Sequence, residues 1–128
     1  MKNIILKFII YLYYLNLIAL LILYLFPGSI IGYLFYGDLS TQPNLIKNPI
    51  GTSINHFFCF FLLTFLGTIY KLNKPKFINS IFFLFTLSIF LELFHLFIPN
   101  RAFELNDVIA NCMGVVVVYL LFFLKKNL

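Results

Sequence analysis

The sequence predicts an all-α polytopic membrane protein: a four-transmembrane-helix bundle with both termini in the cytoplasm. Three observations carry that prediction. The chain has 128 residues, 62% hydrophobic and only 10% charged, with a mean hydropathy of +1.02. An ordinary soluble domain is about 45–50% apolar and about 25% charged, so this chain has too few charges to cover a water-facing surface. The apolar residues fall into four long runs, and the basic residues cluster at the ends of those runs. The length suits a single domain over 1–128 with helices at about 8–26, 54–70, 77–98 and 108–124.

The first run is Phe8 to Phe26, preceded by Lys2 and Lys7 and ended by Pro27-Gly28. A cleavable signal peptide has a shorter apolar core, about 7–15 residues, and a small-residue cleavage site. This run is longer and no such site follows it, so a retained spanning helix is expected. Asn16 within it reads as a helix-packing contact.

Residues 27 to 53 hold four turn signals: Pro27-Gly28, Gly37-Asp38, Pro43-Asn44 and Pro49-Ile50-Gly51. The apolar Ile30 to Phe35 stretch suggests a loop against the membrane surface, with a short interfacial helix near Ile30–Tyr36.

The second run, Ile54 to Tyr70, stops at the basic segment Lys71 to Lys76. The third, Phe77 to Ile98, stops at Pro99. At ~1.5 Å per residue a helix of that length would measure ~33 Å, enough for a hydrocarbon core of about 30 Å. The fourth, Val108 to Leu124, stops at Lys125-Lys126.

Charge sets the orientation. With four spans, Lys2, Lys7, Lys71, Lys74, Lys76, Lys125 and Lys126 share one side, and only Lys47 and Arg101 lie on the other. The positive-inside rule then places both termini in the cytoplasm, and the 27–53 and 99–107 loops outside, in a multi-pass protein of the cytoplasmic membrane. The net charge of +5 is therefore a topology signal and not a nucleic-acid footprint, which would need a basic patch on a soluble surface. Cys59 and Cys112 sit inside apolar runs without metal-ligand or redox spacing and read as small buried side chains. No metal or cofactor motif is present.

The scarce polar residues gather at the expected outer face. Both histidines, the only Arg and three of the four acidic residues fall in Asn55-His56 and in Glu92 to Asp107. Ser88, Glu92 and His95 are spaced i, i+4, i+7, one face of a helix, and Asp107, Asn111 and Gly114 repeat that spacing on the next. A carboxylate within a membrane is costly and faces the protein interior or a wet cavity, which makes Glu92 the leading candidate, with His95 or Arg101 as partner unless it is protonated. Asp107 also suits a helix start, where it would cap free N–H groups. Gly114 would allow close backbone approach between helices. The candidate polar cluster is His56, Glu92, His95, Arg101, Asp107 and Asn111.

The segment from Glu92 to Gly114 resembles the VanZ-like membrane protein family. That family's pattern is a Glu in a spanning helix, an Arg before an aromatic residue, and an Asp-x-x-x-Asn-x-x-Gly signature. Glu92, Arg101-x-Phe103, Asp107, Asn111 and Gly114 fit it, and His56-Phe57-Phe58 is similar to the family's His-Phe at a helix start. The match spans roughly residues 52 to 120. Thr52 and Ser53 stand where the family often has Asp-Lys, His95 where it often has Gln, and Val118 where a second Gly is common. The resemblance implies an association with resistance to glycopeptide antibiotics, teicoplanin in the founding case.

Three functions compete. One is a non-enzymatic envelope protein whose outer-facing pocket binds an amphiphilic ligand: a lipid-linked wall precursor, a phospholipid headgroup or a lipoglycopeptide, with Arg101 suited to phosphate. Another is an intramembrane enzyme using the carboxylates and histidines for acid–base or metal-assisted transfer on a lipid substrate, although no HExxH, GxSxG or P-loop motif is present. The last is a small subunit or assembly factor of a larger membrane complex. Partners beyond the bilayer, including further copies of the chain, stay open.

Overall fold

The computed structural model describes residues 2–43 and 51–127, without side-chain detail at residue 2 or at 125–127. Among the described residues the chain is helical, with no strand. Its elements are α1 (Lys2–Leu25), α2 (Ile30–Tyr36), α3 (Ser53–Asn73), a 3-10 turn (Phe77–Asn79), α4 (Ile81–Phe94) and α5 (Leu105–Asn127). Asn44 of the expected Pro43-Asn44 turn, Pro49 and Ile50 of the Pro49-Ile50-Gly51 turn, and Lys47 lie outside the described residues.

Three helices, α1, α3 and α5, are long and apolar enough to cross a membrane. They begin or end a few residues beyond the apolar runs. Lys, Asn and Asp are tolerated in helical turns even though they do not suit hydrocarbon, so hydropathy marks the membrane-compatible stretch and not the helix end. α1 shows why its surroundings must be apolar on both sides. Tyr13, Leu17, Leu20 and Tyr24 are buried, while Ile4, Phe8, Tyr11, Leu15, Ile18, Ile22 and Leu25 are exposed along the opposite face. A helix apolar all round, with only one stripe packed against protein, presents the other stripe to lipid.

The third apolar run departs from the single ~33 Å helix expected over 77–98. It divides into the 3-10 turn, a 14-residue α4 and a series of tight turns. Its beginning is set by Ser80, whose side chain accepts from the Phe83 N–H and caps α4. Asn79, just before it, accepts from the Lys76 N–H and donates to the Lys74 carbonyl. At the far end the bonds tighten to i→i+3: His95 N–H to Glu92, Leu96 to Leu93 and Phe97 to Phe94. Pro99 disfavours helical geometry at the residue before it, so the helix cannot continue. α4 alone is ~21 Å long by helical rise.

The short helix suspected near Ile30–Tyr36 is α2 itself. Ser29 caps it through the Gly32 N–H, and Gly37 closes it in the left-handed region (φ 69°). Gly32 has no alternative, because a Cβ there would sit 1.7 Å from the Thr41 carbonyl oxygen. Tyr33, Leu34, Phe35 and Tyr36 remain exposed, as aromatic residues at a membrane–water boundary do.

The four long elements alternate in direction. Tyr13 packs on Tyr70 at one end of the α1–α3 pair, and Tyr24 on His56 at the other. Tyr13 donates to the Ile78 carbonyl just before α4, while Tyr24 meets His95 just after it. α5 runs beside α3, and here Gly114 decides the spacing: a Cβ on it would lie 2.6 Å from the Phe57 carbonyl oxygen and 2.8 Å from the Phe61 nitrogen. Gly114 thus packs against α3, whereas its stripe-mates Asp107 and Asn111 turn toward the polar residues of α3 and α4. The C-terminal ends of α1 and α4 and the N-terminal ends of α3 and α5 meet at one end of the molecule.

Candidate functional site

At that end five of the six candidate side chains, His56, Glu92, His95, Asp107 and Asn111, are buried together, and Glu92 and Asn111 have no exposed surface at all. α3 supplies His56 from its first turn. α4 supplies Glu92 from its last turn, and His95 follows as its C-cap. α5 supplies Asp107 and Asn111.

The residue that ties them together is Tyr24, near the end of α1. Its hydroxyl donates to Asn111 Oδ1 at 2.7 Å and lies 2.8 Å from His56 Nδ1. Asn111 Nδ2 in turn donates to the Ser88 carbonyl at 3.2 Å. The direction of this chain fixes a tautomer. The carbonyl of Ser88 can only accept, so Asn111 turns its own oxygen to Tyr24. The single phenolic proton is used there, so His56 Nδ1 must carry a proton and donate to the Tyr24 oxygen. His56 Nε2 is then the nitrogen facing Asp107 Oδ2 (3.4 Å) and the Gln42 amide nitrogen (3.3 Å).

A second chain fixes His95. Its Nε2 sits 3.1 Å from the Tyr24 backbone carbonyl, which can only accept, so Nε2 is protonated. Its Nδ1 lies 2.9 Å from Glu92 Oε1. Glu92 and His95 therefore share one proton, as carboxylate with imidazolium or as carboxylic acid with imidazole, and the pair is neutral either way. Glu92 Oε1 also accepts the Glu104 N–H at 3.3 Å. The Tyr24 ring stacks on His95 (centroids 5.6 Å apart, 22° between planes) and meets His56 edge-on (5.1 Å, 70°).

Of the two partners expected for Glu92, the structure brings His95 and not Arg101. Arg101 donates from Nε and Nη2 to the carbonyls of Phe26 and Leu23, closing the C-terminal end of α1, where a cation also suits the helix dipole. Partial burial pushes its guanidinium below the usual value, opposed by the charges of Glu92, Tyr24 and Asp107. Asp107 lies in the first turn of α5. Its Oδ1 and Glu92 Oε2 are buried and have no hydrogen-bond partner among the described residues. Outside the cluster, Glu104 has its carboxyl pushed above the ordinary value by burial, then by the charges of Asp107 and Glu92. Cys59 and Cys112 are free and only half-buried, less enclosed than their apolar runs suggest.

Two openings reach the cluster. A narrow pocket of about 60 Å³ is lined largely by apolar groups, including Leu23, Ile30, Ile31 and Pro43, with His56 at its wall. A wider polar cleft of about 340 Å³ is lined by Ser40, Thr52, Asn100, Glu104 and Asp107 among others. Ser29, Gln42, His95 and Arg101 line both.

Sequence reasoning missed Tyr24, Gln42 and Ser29. Tyr24 is one of eight tyrosines and sits in an apolar run, so nothing in its local spacing sets it apart. Its place in the last turn of the first helix, level with His56, is the signal, and it needs the helix pairing to be read. Gln42 and Ser29 come from the loop that α2 folds back against the bundle.

No curated protein matches the chain, and no solved structure matches it. A family model, VanZ/LLP1, matches residues 8–126, nearly the whole of the chain. A membrane protein with this set of residues, matched over that length, belongs to the VanZ/LLP1 family.

Proposed function

We propose that this protein is a multi-pass protein of the cytoplasmic membrane whose outer-facing pocket binds an amphiphilic envelope ligand, either a membrane lipid, a lipid-linked wall precursor or a lipoglycopeptide. The observation that carries the reading is the shared wall of the two openings. An apolar pocket and a polar cleft meet along Ser29, Gln42, His95 and Arg101, so an acyl or prenyl segment and a charged headgroup have adjoining places. Sites for small ligands combine mostly apolar walls with a few placed polar groups in this way. Arg101 uses two of its guanidinium N–H groups on α1 and lines both openings, which suits phosphate oxygens. The family's association with glycopeptide resistance fits a ligand from wall synthesis.

In this reading four segments cross the membrane. The 3-10 turn at 77–79 and the tight turns at 95–97 extend α4 by ~12 Å at ~2.0 Å per residue, to about the ~30 Å that a span needs. Lys7, Lys71, Lys74 and Lys76 lie toward the end opposite the polar cluster, which supports an outside position for the cluster under the positive-inside rule.

The test is binding of a polyprenyl pyrophosphate and of phosphatidylglycerol to the purified protein in mild detergent, read by native mass spectrometry. Arg101→Gln should weaken the pyrophosphate complex at least tenfold. Ile31→Ser should weaken both lipids while leaving free pyrophosphate unaffected. Unchanged binding in both variants, with melting temperatures near that of the parent, overturns the reading. One observation favours an intramembrane enzyme as the alternative: two carboxylates and two imidazoles share one buried cluster at the cleft, as acid–base chemistry requires. Release of phosphate from the same pyrophosphate by the purified protein would decide for it.

A further inference from the structure

His56, Glu92 and Asp107 each offer one ligand atom, and these three atoms lie within 4.8 Å of one another. All three residues are buried. A cluster of this kind could be a closed salt-bridge network, with every oxygen satisfied internally. It is not. Glu92 Oε1 is occupied by His95 and the Glu104 N–H, yet Glu92 Oε2, on a side chain with no exposed surface, has no hydrogen-bond partner among the described residues. Asp107 Oδ1 is in the same condition. Buried carboxylate oxygens left unpaired are expensive, and each such group asks for an explanation.

The imidazole does not supply that explanation. The Tyr24–Asn111–Ser88 chain places the His56 proton on Nδ1. Nδ1 lies 3.7 Å from Glu92 Oε2, too far for a hydrogen bond, and Nε2 turns a lone pair toward Asp107 Oδ2, 3.4 Å away. The Gln42 amide nitrogen, a donor, lies 3.3 Å from the same Nε2 and would be repelled by a proton there. The Glu92–His95 pair is neutral whichever atom holds its proton, so it brings no positive charge. Arg101 is held on the α1 carbonyls. The His56 Nε2 lone pair, the Asp107 carboxylate and the free oxygen of a Glu92–His95 pair without net charge thus meet, with no net positive charge from the described side chains to balance Asp107.

We propose that His56 Nε2, Glu92 Oε2 and an Asp107 carboxylate oxygen form a site for a divalent cation of the zinc class, open on the fourth side to the polar cleft. One imidazole nitrogen with two carboxylate oxygens suits Zn²⁺ better than Mg²⁺ or Ca²⁺, which favour all-oxygen sets. Three protein ligands with one position left for water or an incoming oxygen is the arrangement of sites that engage substrates, whereas purely structural zinc sites are closed by four. Tyr24 orients the imidazole from its other nitrogen, as the hydrogen-bond partners of metal-binding histidines do. Gln42, half-buried at the edge of the cleft, is the group the ion would displace from Nε2. The site requires no lipid, so it stands or falls separately from the ligand proposed above.

The experiment uses the full chain in detergent, stripped with a chelator and titrated with ZnCl₂ against a fluorescent zinc indicator, with MgCl₂ as the comparison. One Zn²⁺ per chain is expected, with Mg²⁺ failing to compete. His56→Gln and Asp107→Asn should each weaken binding at least tenfold, and Tyr24→Phe by about tenfold, the range seen when a ligand loses its orienting partner. Zinc K-edge absorption on the parent protein should show nitrogen and oxygen ligands without sulfur. This reading survives even if a variant fails to fold. Sulfur ligation would move the ion to Cys59, which shares a pocket wall with His56, and overturn the assignment. So would the absence of stoichiometric binding, or a His56 ring found doubly protonated at neutral pH by nitrogen NMR of the metal-free protein.

Discussion

The hydroxyl of Tyr24 lies 2.8 Å from His56 Nδ1 and 2.7 Å from Asn111 Oδ1, and this single oxygen joins α1, α3 and α5 at the polar end of the bundle. Tyr24→Phe removes it and leaves a buried Asn111 oxygen and a buried His56 N–H without partners. Loss of one partner from a buried pair costs about 1–3 kcal/mol. A clear drop in unfolding free energy is expected, measured by denaturant titration in mixed micelles and followed by circular dichroism. Tyr14→Phe serves as the control, since its hydroxyl's contact to Tyr70 is long, at 3.4 Å.

Glu92 separates charge from hydrogen bonding. Glu92→Ala strips His95 of its Nδ1 partner and the Glu104 N–H of its acceptor. Breaking a buried pair from one side typically costs about 3–5 kcal/mol. Glu92→Gln keeps one of the two contacts, an acceptor oxygen for the Glu104 N–H or an amide N–H for the His95 Nδ1 lone pair, and should lose less stability than Glu92→Ala. Comparing the two variants in the same denaturant titration checks this ordering. Equal losses would mean that the charge, and not the acceptor geometry, holds the end of α4.

The contact between α3 and α5 predicts an asymmetry between two glycines. A Cβ at position 114 would meet the backbone of Phe57 and Phe61 at 2.6 and 2.8 Å, whereas one at position 67 would meet the Tyr13 ring at 2.9 Å. Side chains can shift more readily than helix backbones. Gly114→Ala should therefore destabilise by roughly 1–3 kcal/mol, the usual range for overpacking, and Gly67→Ala by less. Thermal unfolding of both variants tests the order.

Glu104 carries a pH dependence whose sign can be worked out. Burial, then the charges of Asp107 and Glu92, raises its carboxyl in the folded protein above the ordinary 4.5. A raised folded value means that Glu104's contribution to stability is fully present below the unfolded value and is lost as pH rises through the folded one. Glu104→Gln should remove that decline and leave the protein more stable than the parent at neutral pH. Melting temperatures of the two proteins across pH 4 to 7 give the comparison.

Topology has its own measurement. Ser40 is exposed in the loop beside α2, and Lys71 lies at the end of α3 opposite the cluster. With Cys59 and Cys112 replaced by serine, a cysteine introduced in place of Ser40 should react with a membrane-impermeant maleimide added to intact cells. One introduced in place of Lys71 should react only after lysis. The reverse pattern would invert the assigned orientation.

Much of the site was legible because charge is scarce. In a chain where nearly every residue suits lipid, Glu92, His56, Asp107 and Asn111 stand out by composition, and helical spacing alone puts Glu92 with Ser88 and Asp107 with Asn111. The length of α4 was not legible. Its ends depend on Ser80 as cap and on tight turns before Pro99, neither of which alters the hydropathy of residues 77–98. Arg101 reads from sequence as a loop charge or a phosphate ligand, and nothing in its neighbours reveals that it closes α1, which lies about 75 residues away along the chain.

By itself the sequence determined that this is a helical membrane protein, where its apolar runs lie and which few polar residues matter, because hydropathy and helical period are local properties. Tertiary structure alone decided which nitrogen of His56 faces the carboxylates, that Glu92 pairs with His95, and that Tyr24 belongs to the cluster. The His56 tautomer and the place of Tyr24 depend on hydrogen bonds between helices, and the Glu92–His95 contact, though local at i,i+3, is oriented by the bond from His95 Nε2 to the Tyr24 carbonyl; the directions are set by carbonyls at Ser88 and Tyr24 that can only accept. Such a constraint exists only once the helices have packed.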